Sequence, residues 1–192
     1  TARPNPMKTG EFTMLNKKIK VGVLASTGSV GQRFIQLLAD HPWFELAAVS
    51  GSEKREGCKY GETCKWLLPG DIPEKVRDMV MLPSTPEDLD VPLVFSALPA
   101  DVAREQEPEF AKAGVAVCTN AGAFRKAEDV PVLLPEVNPE HTALVRQQQA
   151  ERGWSGFIVT NPNCTSTGTT IALKALDNCF GLSKVFAVSM QA

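Results

Sequence analysis

The stretch with the most chemistry in it is Asn161-Pro162-Asn163-Cys164-Thr165-Ser166-Thr167-Gly168. An apolar strand-like run ends, a proline turns the chain, and a thiol stands where a helix begins. Aligned peptide dipoles and unpaired N–H groups make a helix N-terminus partly positive. Such a setting favours a thiolate over a thiol. The same N–H groups, with the Asn163 side chain, suit an oxyanion on an attacked carbonyl, so nucleophile and oxyanion stabiliser are expected together. The other cysteines read differently: Cys118 and Cys179 as small apolar residues on a strand and a helix face, Cys58 and Cys64 as residues of an irregular region. The five cysteines are odd in number and irregular in spacing, without a C-x-x-C pair, and His41 and His141 are the two imidazoles. No metal site and no disulfide framework is expected, and reduced thiols fit a cytoplasmic compartment.

A second stretch concerns phosphate. Ala25-x-x-Gly28-x-x-Gly31 follows an aliphatic run and precedes a helical pattern. Small residues here let the backbone and the free N–H groups of a helix approach a pyrophosphate. Alanine stands where a glycine is common. A glycine-bearing structural turn is the alternative reading. After the next apolar run come Ser50-Gly51-Ser52 and then Glu53-Lys54-Arg55, where an NAD enzyme usually places an acidic residue for the ribose hydroxyls. Hydroxyls and two cations suit a 2′-phosphate better, so NADP is expected over NAD, with Glu53 turned outward. Solvation of Lys54 and Arg55 at the surface is the plainer alternative.

These groups need a scaffold, and the hydrophobic pattern supplies one. Strands are expected at 19–25, 44–50, 93–98, 115–119, 157–160 and 184–190, with a weaker candidate at 132–134. Val30, Phe34, Leu37 and Leu38 suggest one apolar helix face. Asp101 to Ala113 has helical composition with Pro108 inside, where a kink or break is expected. Asn138-Pro139 resembles an N-cap and first helical residue for a helix reaching Arg152. Ala172, Ala175, Leu176 and Cys179 mark another helix. The segment from Gly51 to Asp90 reads as loop-rich with short elements. Alternating strands and helices imply a doubly wound, mostly parallel α/β sheet of Rossmann-like kind.

The chain has 192 residues, 43% of them hydrophobic, and a formal charge of −2. It has no basic block for nucleic acid and no apolar run of membrane-spanning length, so neither partner is expected. Residues 1–18 carry prolines and basic residues with no apolar core of a signal peptide. They read as a mobile tail, partly of expression origin, with Met14 as a natural start.

Taken together, the motifs resemble aspartate-semialdehyde dehydrogenase of the fungal and archaeal branch. The matching pieces are V-G-V-L-A-S-T-G-S-V-G-Q (21–32), S-A-L-P (96–99), D-V-P-V-L-L-P-E-V-N (129–138), N-P-N-C-T-S-T-G (161–168) and S-M-Q-A (189–192). The resemblance implies NADPH-dependent reduction of L-aspartyl 4-phosphate to L-aspartate 4-semialdehyde, an early step toward threonine, methionine, isoleucine and often lysine. It implies Cys164 as the nucleophile that forms a thioester, Asn163 beside it, Gln191 orienting substrate, and Arg125 near the substrate phosphate. It also implies Thr27, Gly28, Ser29, Val30, Ser50, Ser52, Ser96 and Leu98 as cofactor contacts, joined by Lys54 and Arg55 from the reading above. Residues 19–160 then form the NADP-binding domain, and 161–192 begin an α+β catalytic and dimerisation domain left incomplete.

Neither histidine matches the family's acid/base histidine, so this chain alone is expected to be inactive. An unpaired strand at 184–190 would invite association, and a homo-oligomer is expected at full length. Two rivals remain: N-acetylglutamyl-phosphate reductase, and a non-catalytic remnant that binds NADP or pairs with an intact subunit. Glyceraldehyde-3-phosphate dehydrogenase is more distant, because the strand-end serines argue against its NAD preference.

Overall fold

The structure is a computed structural model that describes residues 17–190. Gln191 and most of the N-terminal tail lie outside the described residues. Six strands, β1 (Ile19–Leu24), β2 (Phe44–Ser50), β3 (Met81–Leu82), β4 (Leu93–Ser96), β5 (Ala116–Thr119) and β6 (Phe157–Thr160), form one sheet in the order β3-β2-β1-β4-β5-β6. Every neighbouring pair is parallel. The helices are α1 (Ser29–Leu38), α2 (Tyr60–Thr63), α3 (Glu74–Arg77), α4 (Pro86–Leu89), α5 (Ala100–Lys112), α6 (Leu144–Arg152) and α7 (Cys164–Phe180). This is the doubly wound order, with its reversal at β1, whose two neighbours are reached by opposite crossovers.

Because all strands run the same way, all their carboxyl ends lie on one edge, and the loops that follow them share it. Two apolar clusters flank the sheet. One joins Leu24, Val94 and Val117 to Ala103 and Phe110 of α5. The other joins Val21, Val23 and Val49 to Ile35 and Leu38 of α1 and to Tyr60. Continuous β-branched runs suit strands covered on both faces.

Several local expectations need correction. The α1 face turned inward is Gly31, Gln32, Ile35 and Leu38, while Val30 and Leu37 are exposed. The reason lies in the turn before it: a Cβ on Gly31 would stand 2.4 Å from the Ala25 carbonyl oxygen, so α1 is pressed onto the turn by its glycine side. Gln32 is fully buried and acts as a polar hub. Its Nε2 donates to the carbonyls of Thr27 and Lys65, both at 2.9 Å, and its Oε1 accepts from Leu67 N at 2.7 Å.

α5 runs unbroken through Pro108. Asn138 makes no side-chain cap. Its Oδ1 accepts from Leu134 N and its Nδ2 donates to Val132 O, so it closes the preceding loop, and a 3-10 turn at Pro139–Ala143 precedes α6. Val132 makes an isolated bridge to Thr160 and no strand. Residues 184–190 are also not a strand; a strand exists by pairing, and no described residue pairs with them. α7 buries none of its residues. No helix of the described residues is long and apolar enough to cross a membrane.

Candidate functional site

The carboxyl edge of β1, β2 and β4 opens into a cavity of about 890 Å³. Its position at the reversal of strand order is where doubly wound sheets leave a crevice. Three loops build it. The first is the β1–α1 turn, where Ala25 takes a left-handed conformation with φ of 53°. L-residues avoid that region, so the turn carries strain that a glycine would not. The turn is pinned from below: Ser26 Oγ donates to Ser50 O at 2.7 Å, and the Tyr60 hydroxyl donates to Ser26 O at 2.9 Å. Burial pushes the Tyr60 phenol upward, so it stays a donor. Thr27 and Gly28 form the wall above. No side chain caps α1 at Gly28, which leaves its first N–H groups to a ligand. Ser29 and Val30 stand exposed in that first turn, next to the wall.

The second loop follows β2. Ser52, Lys54 and Arg55 line the cavity, and Arg55 Nη1 donates to Thr27 Oγ1, joining this loop to the first. Glu53 and Glu56 line it too. Glu53 is therefore not turned away from the cavity as the sequence reading expected. The 3-10 turn at Glu53–Arg55 holds all three of its residues on one short arc. The third loop follows β4, where Ala97, Leu98 and Pro99 form the apolar wall.

Two of the expected contacts, Ser50 and Ser96, are not among the residues that line the cavity. Ser50 is fully buried and its hydroxyl accepts from Ser84 Oγ at 2.8 Å. Ser96 is fully buried and its hydroxyl accepts from Leu98 N at 3.4 Å. Both hydroxyls fasten loops instead of facing the cavity. Ser84 and Thr85 take a place in the wall that the sequence reading missed. They follow a strand of two residues, too short for periodicity to announce it.

The thiol lies on the same edge, after β6. Cys164 is exposed and is the first residue of α7. Asn163 is the helix cap, with Oδ1 accepting from Ser166 N at 2.7 Å. That bond occupies one N–H the sequence reading offered to an oxyanion, while among the described residues Asn163 Nδ2 has no hydrogen-bond partner. From β1 to β6 is three strand spacings, about 14 Å at the usual inter-strand distance.

Arg125 sits between. Its Nε donates to Asn161 O and its Nη2 to Asn120 O, both at 2.8 Å, so it clamps the chain leaving β6 to the chain leaving β5. It also borders a groove of about 410 Å³ with His141, Pro162 and Thr170. The His141 Nδ1 is 2.8 Å from Asn138 Nδ2, and among the described residues no side chain hydrogen-bonds the Cys164 thiol. His41 stands between α1 and β2, where its Nδ1 accepts from Trp43 N and Phe44 N, at the edge opposite the cavity. Of the remaining thiols, burial pushes Cys118 up to about 11, and Cys64 is buried against Gln32. No group of metal-ligating side chains is found among the described residues.

Comparison with known proteins gives this geometry a context. A family model described as the NAD binding domain of semialdehyde dehydrogenase matches residues 20–145. An aspartate-semialdehyde dehydrogenase of Archaeoglobus fulgidus is 53% identical over 175 residues, covering 91% of this chain and 51% of its own length. One from Methanothermobacter thermautotrophicus is 49% identical, covering 91% and 50%. The crystal structure of aspartate-semialdehyde dehydrogenase with NADP from Candida albicans superposes with a TM-score of 0.78 at 42% identity, over 86% of this chain and 48% of that one. The chain spans about half the length of these relatives.

Proposed function

The chain belongs to the semialdehyde dehydrogenase family, and from that premise we propose that its cavity holds NADPH and that Cys164 carries an aspartyl group between phosphate and hydride. The observation that carries the proposal is the shared edge: a crevice with cationic side chains, an uncapped α1 N-terminus and an exposed helix-opening thiol all follow carboxyl ends of one parallel sheet.

The residues fit the cofactor. The first N–H groups of α1 and the close turn at Thr27–Gly28 suit the pyrophosphate. Arg55, Lys54 and Ser52 suit a 2′-phosphate, and Leu98 and Pro99 offer an apolar floor to a ring. Bound there, NADPH supplies a hydride. The chain's own part is nucleophilic. Cys164 Sγ attacks the acyl carbon of L-aspartyl 4-phosphate; a C–S bond forms, the C–O bond to phosphate breaks, and phosphate leaves with the electron pair. A hydride from bound NADPH would reduce the thioester carbon, and C–S cleavage would return the Cys164 thiolate and release L-aspartate 4-semialdehyde. Asn163 Nδ2 and the N–H groups of the first α7 turn stabilise the oxyanion. Arg125 holds the loop that presents the thiol and offers Nη1 to the substrate. Gln191, outside the described residues, keeps its expected role of orienting substrate. This step serves threonine, methionine and isoleucine formation.

Residues 19–160 act as the nucleotide-binding unit, and residues from 161 onward open the catalytic unit. Among the described residues no side chain hydrogen-bonds the Cys164 thiol, and a proton-transfer partner there would raise turnover by about 10²- to 10⁴-fold. Exposed Phe180, Phe186 and Val188 support self-association, and the unpaired thiols support a reducing cytoplasmic setting.

The test is twofold. Calorimetry with NADPH and NADH should give the tighter complex with NADPH. Intact-mass analysis after incubation with aspartyl phosphate should show one acyl adduct that is absent from Cys164→Ser. Tighter NADH binding, or an adduct that survives Cys164→Ser, overturns the proposal.

A further inference from the structure

Glu107 lies in the middle of α5 and is fully buried. Carboxylates are rarely found in such a place without a cation. No cation accompanies it: burial raises its pKa from the ordinary 4.5, and the hydroxyls of Thr119 and Ser96 offset only part of the rise. β5 and β6, the strands against which α5 packs, carry one other titratable group, Cys118, kept neutral because burial pushes it up to about 11. The charged residues of α5 itself, among them Asp101, Arg104, Glu105 and Glu109, are turned to solvent. Burial thus favours the protonated form of this group, and among the described residues its Oε2 is buried with no hydrogen-bond partner.

The hydroxyls it meets close two loops. Thr119 ends β5, and its hydroxyl donates to Glu107 Oε1 at 2.5 Å while accepting from Ala121 N at 2.9 Å. Ser96 ends β4, and its hydroxyl accepts from Leu98 N at 3.4 Å. Leu98 is part of the cavity wall. Asn120, between Thr119 and Ala121, accepts Arg125 Nη2 on its carbonyl and the Asn161 side-chain amide on its Oδ1. Asn161 stands three residues ahead of Cys164.

We propose that Glu107 is a positioning residue whose carboxyl group, through the Ser96 and Thr119 hydroxyls, sets the cofactor-side loop at Leu98 and the thiol-side loop at Asn120 together. One buried group thus joins the nucleotide wall to the segment that presents the nucleophile. The functional consequence rests on the NADPH reading above; the loop linkage itself does not. Thr119 Oγ1 donates to the carboxyl while accepting from the Ala121 amide, so removing the carboxyl frees that hydroxyl to turn away from the amide.

The experiment is amide hydrogen exchange at Leu98 and Ala121, read by NMR against intrinsic rates, with NADPH titrations alongside. Glu107→Ala should lose about tenfold in protection at both amides, roughly one hydrogen bond's worth of local stability, and weaken NADPH about tenfold. Glu107→Gln, whose side-chain oxygen still accepts from the hydroxyls, should recover both. Should Glu107→Ala fail to fold, Thr119→Val cuts the same link on the other side and should release Ala121. Loss of protection in Glu107→Gln equal to that in Glu107→Ala, or unchanged protection in both Glu107→Ala and Thr119→Val, overturns the proposal. A wild-type chain that binds no NADPH sinks the cofactor reading while the exchange arm still decides this one.

Discussion

Removing the Arg55 guanidinium without shortening its stem, as in Arg55→Met, tests the proposed fit of the cavity to a 2′-phosphate. The cavity wall carries Lys54 and Arg55 against Glu53 and Glu56, so the formal charges of these four side chains cancel. Taking Arg55 away leaves that wall one charge negative. A hydrogen bond to a charged group contributes about 1.5–3 kcal/mol, which converts to about 10- to 150-fold in Kd. NADH has no phosphate there, so its Kd should move by less than about threefold, the small share left to long-range repulsion under ordinary screening. Calorimetry at roughly 0.1 M salt, where the Debye length is about 10 Å, reads both nucleotides on one preparation. The half-buried bond from Arg55 to Thr27 gives a folding control: Tm should change little, because Ser26, Tyr60 and Gln32 hold the turn independently. Equal weakening of NADPH and NADH would refute the reasoning, since it would make Arg55 a general loop fastener. So would no weakening of NADPH at all, which would mean that Glu53 and Glu56 already neutralise it.

The remaining predictions concern the scaffold. Ala25→Gly relieves the left-handed alanine, worth about 1–2 kcal/mol, against about 0.5–1 kcal/mol of extra chain entropy; the net rise of about 1 kcal/mol should lift Tm by about 2–4 °C in a thermal melt. Asp129 is held below its ordinary pKa of 3.8 chiefly by its hydrogen bonds to Arg152, against the opposing effect of burial. A depressed carboxylate contributes stability above its unfolded value and loses it as pH falls through the folded value. Denaturant titrations should therefore show wild type losing stability below about pH 4, with Asp129→Asn lacking that part of the slope and weaker at pH 7 by about 1.5–3 kcal/mol.

What the sequence revealed depended on which physical signal a residue carries. The parallel strands were legible because burial on both faces demands unbroken apolar runs, and 44–50 and 157–160 matched the structure to the residue. The helix start at Cys164 was legible because an apolar run ends and a proline turns the chain just before it; the Asn163 cap bond, which forms within three residues, was not legible there because the sequence reading gives that side chain to an oxyanion. The α1 face was misread because hydrophobicity competes there with contact distance: Gly31 must meet the Ala25 carbonyl, and that rotates Val30 and Leu37 outward. The strand expected at 184–190 failed because alternation predicts only a readiness to pair, and pairing needs a neighbour.

Ser50 and Ser96 make the sharpest case. Both close a strand on the ligand-facing edge, and both fit a pattern of cofactor-contacting positions, yet a strand alternates its side chains between faces, and a position alone does not say which way a hydroxyl turns. In the structure each turns inward, onto Ser84 and the Leu98 amide. Their role follows from that direction. A hydroxyl spent on a loop N–H or a neighbouring hydroxyl fixes the backbone of the cavity wall, so these serines shape the site through the loops they fasten, while Thr27, Ser52 and Arg55 line the cavity itself. Replacing Ser96 by alanine should accordingly loosen Leu98 and weaken both nucleotides alike, whereas loss of Arg55 separates them; a Ser96→Ala chain that discriminates as Arg55→Met does would place its hydroxyl back in the wall.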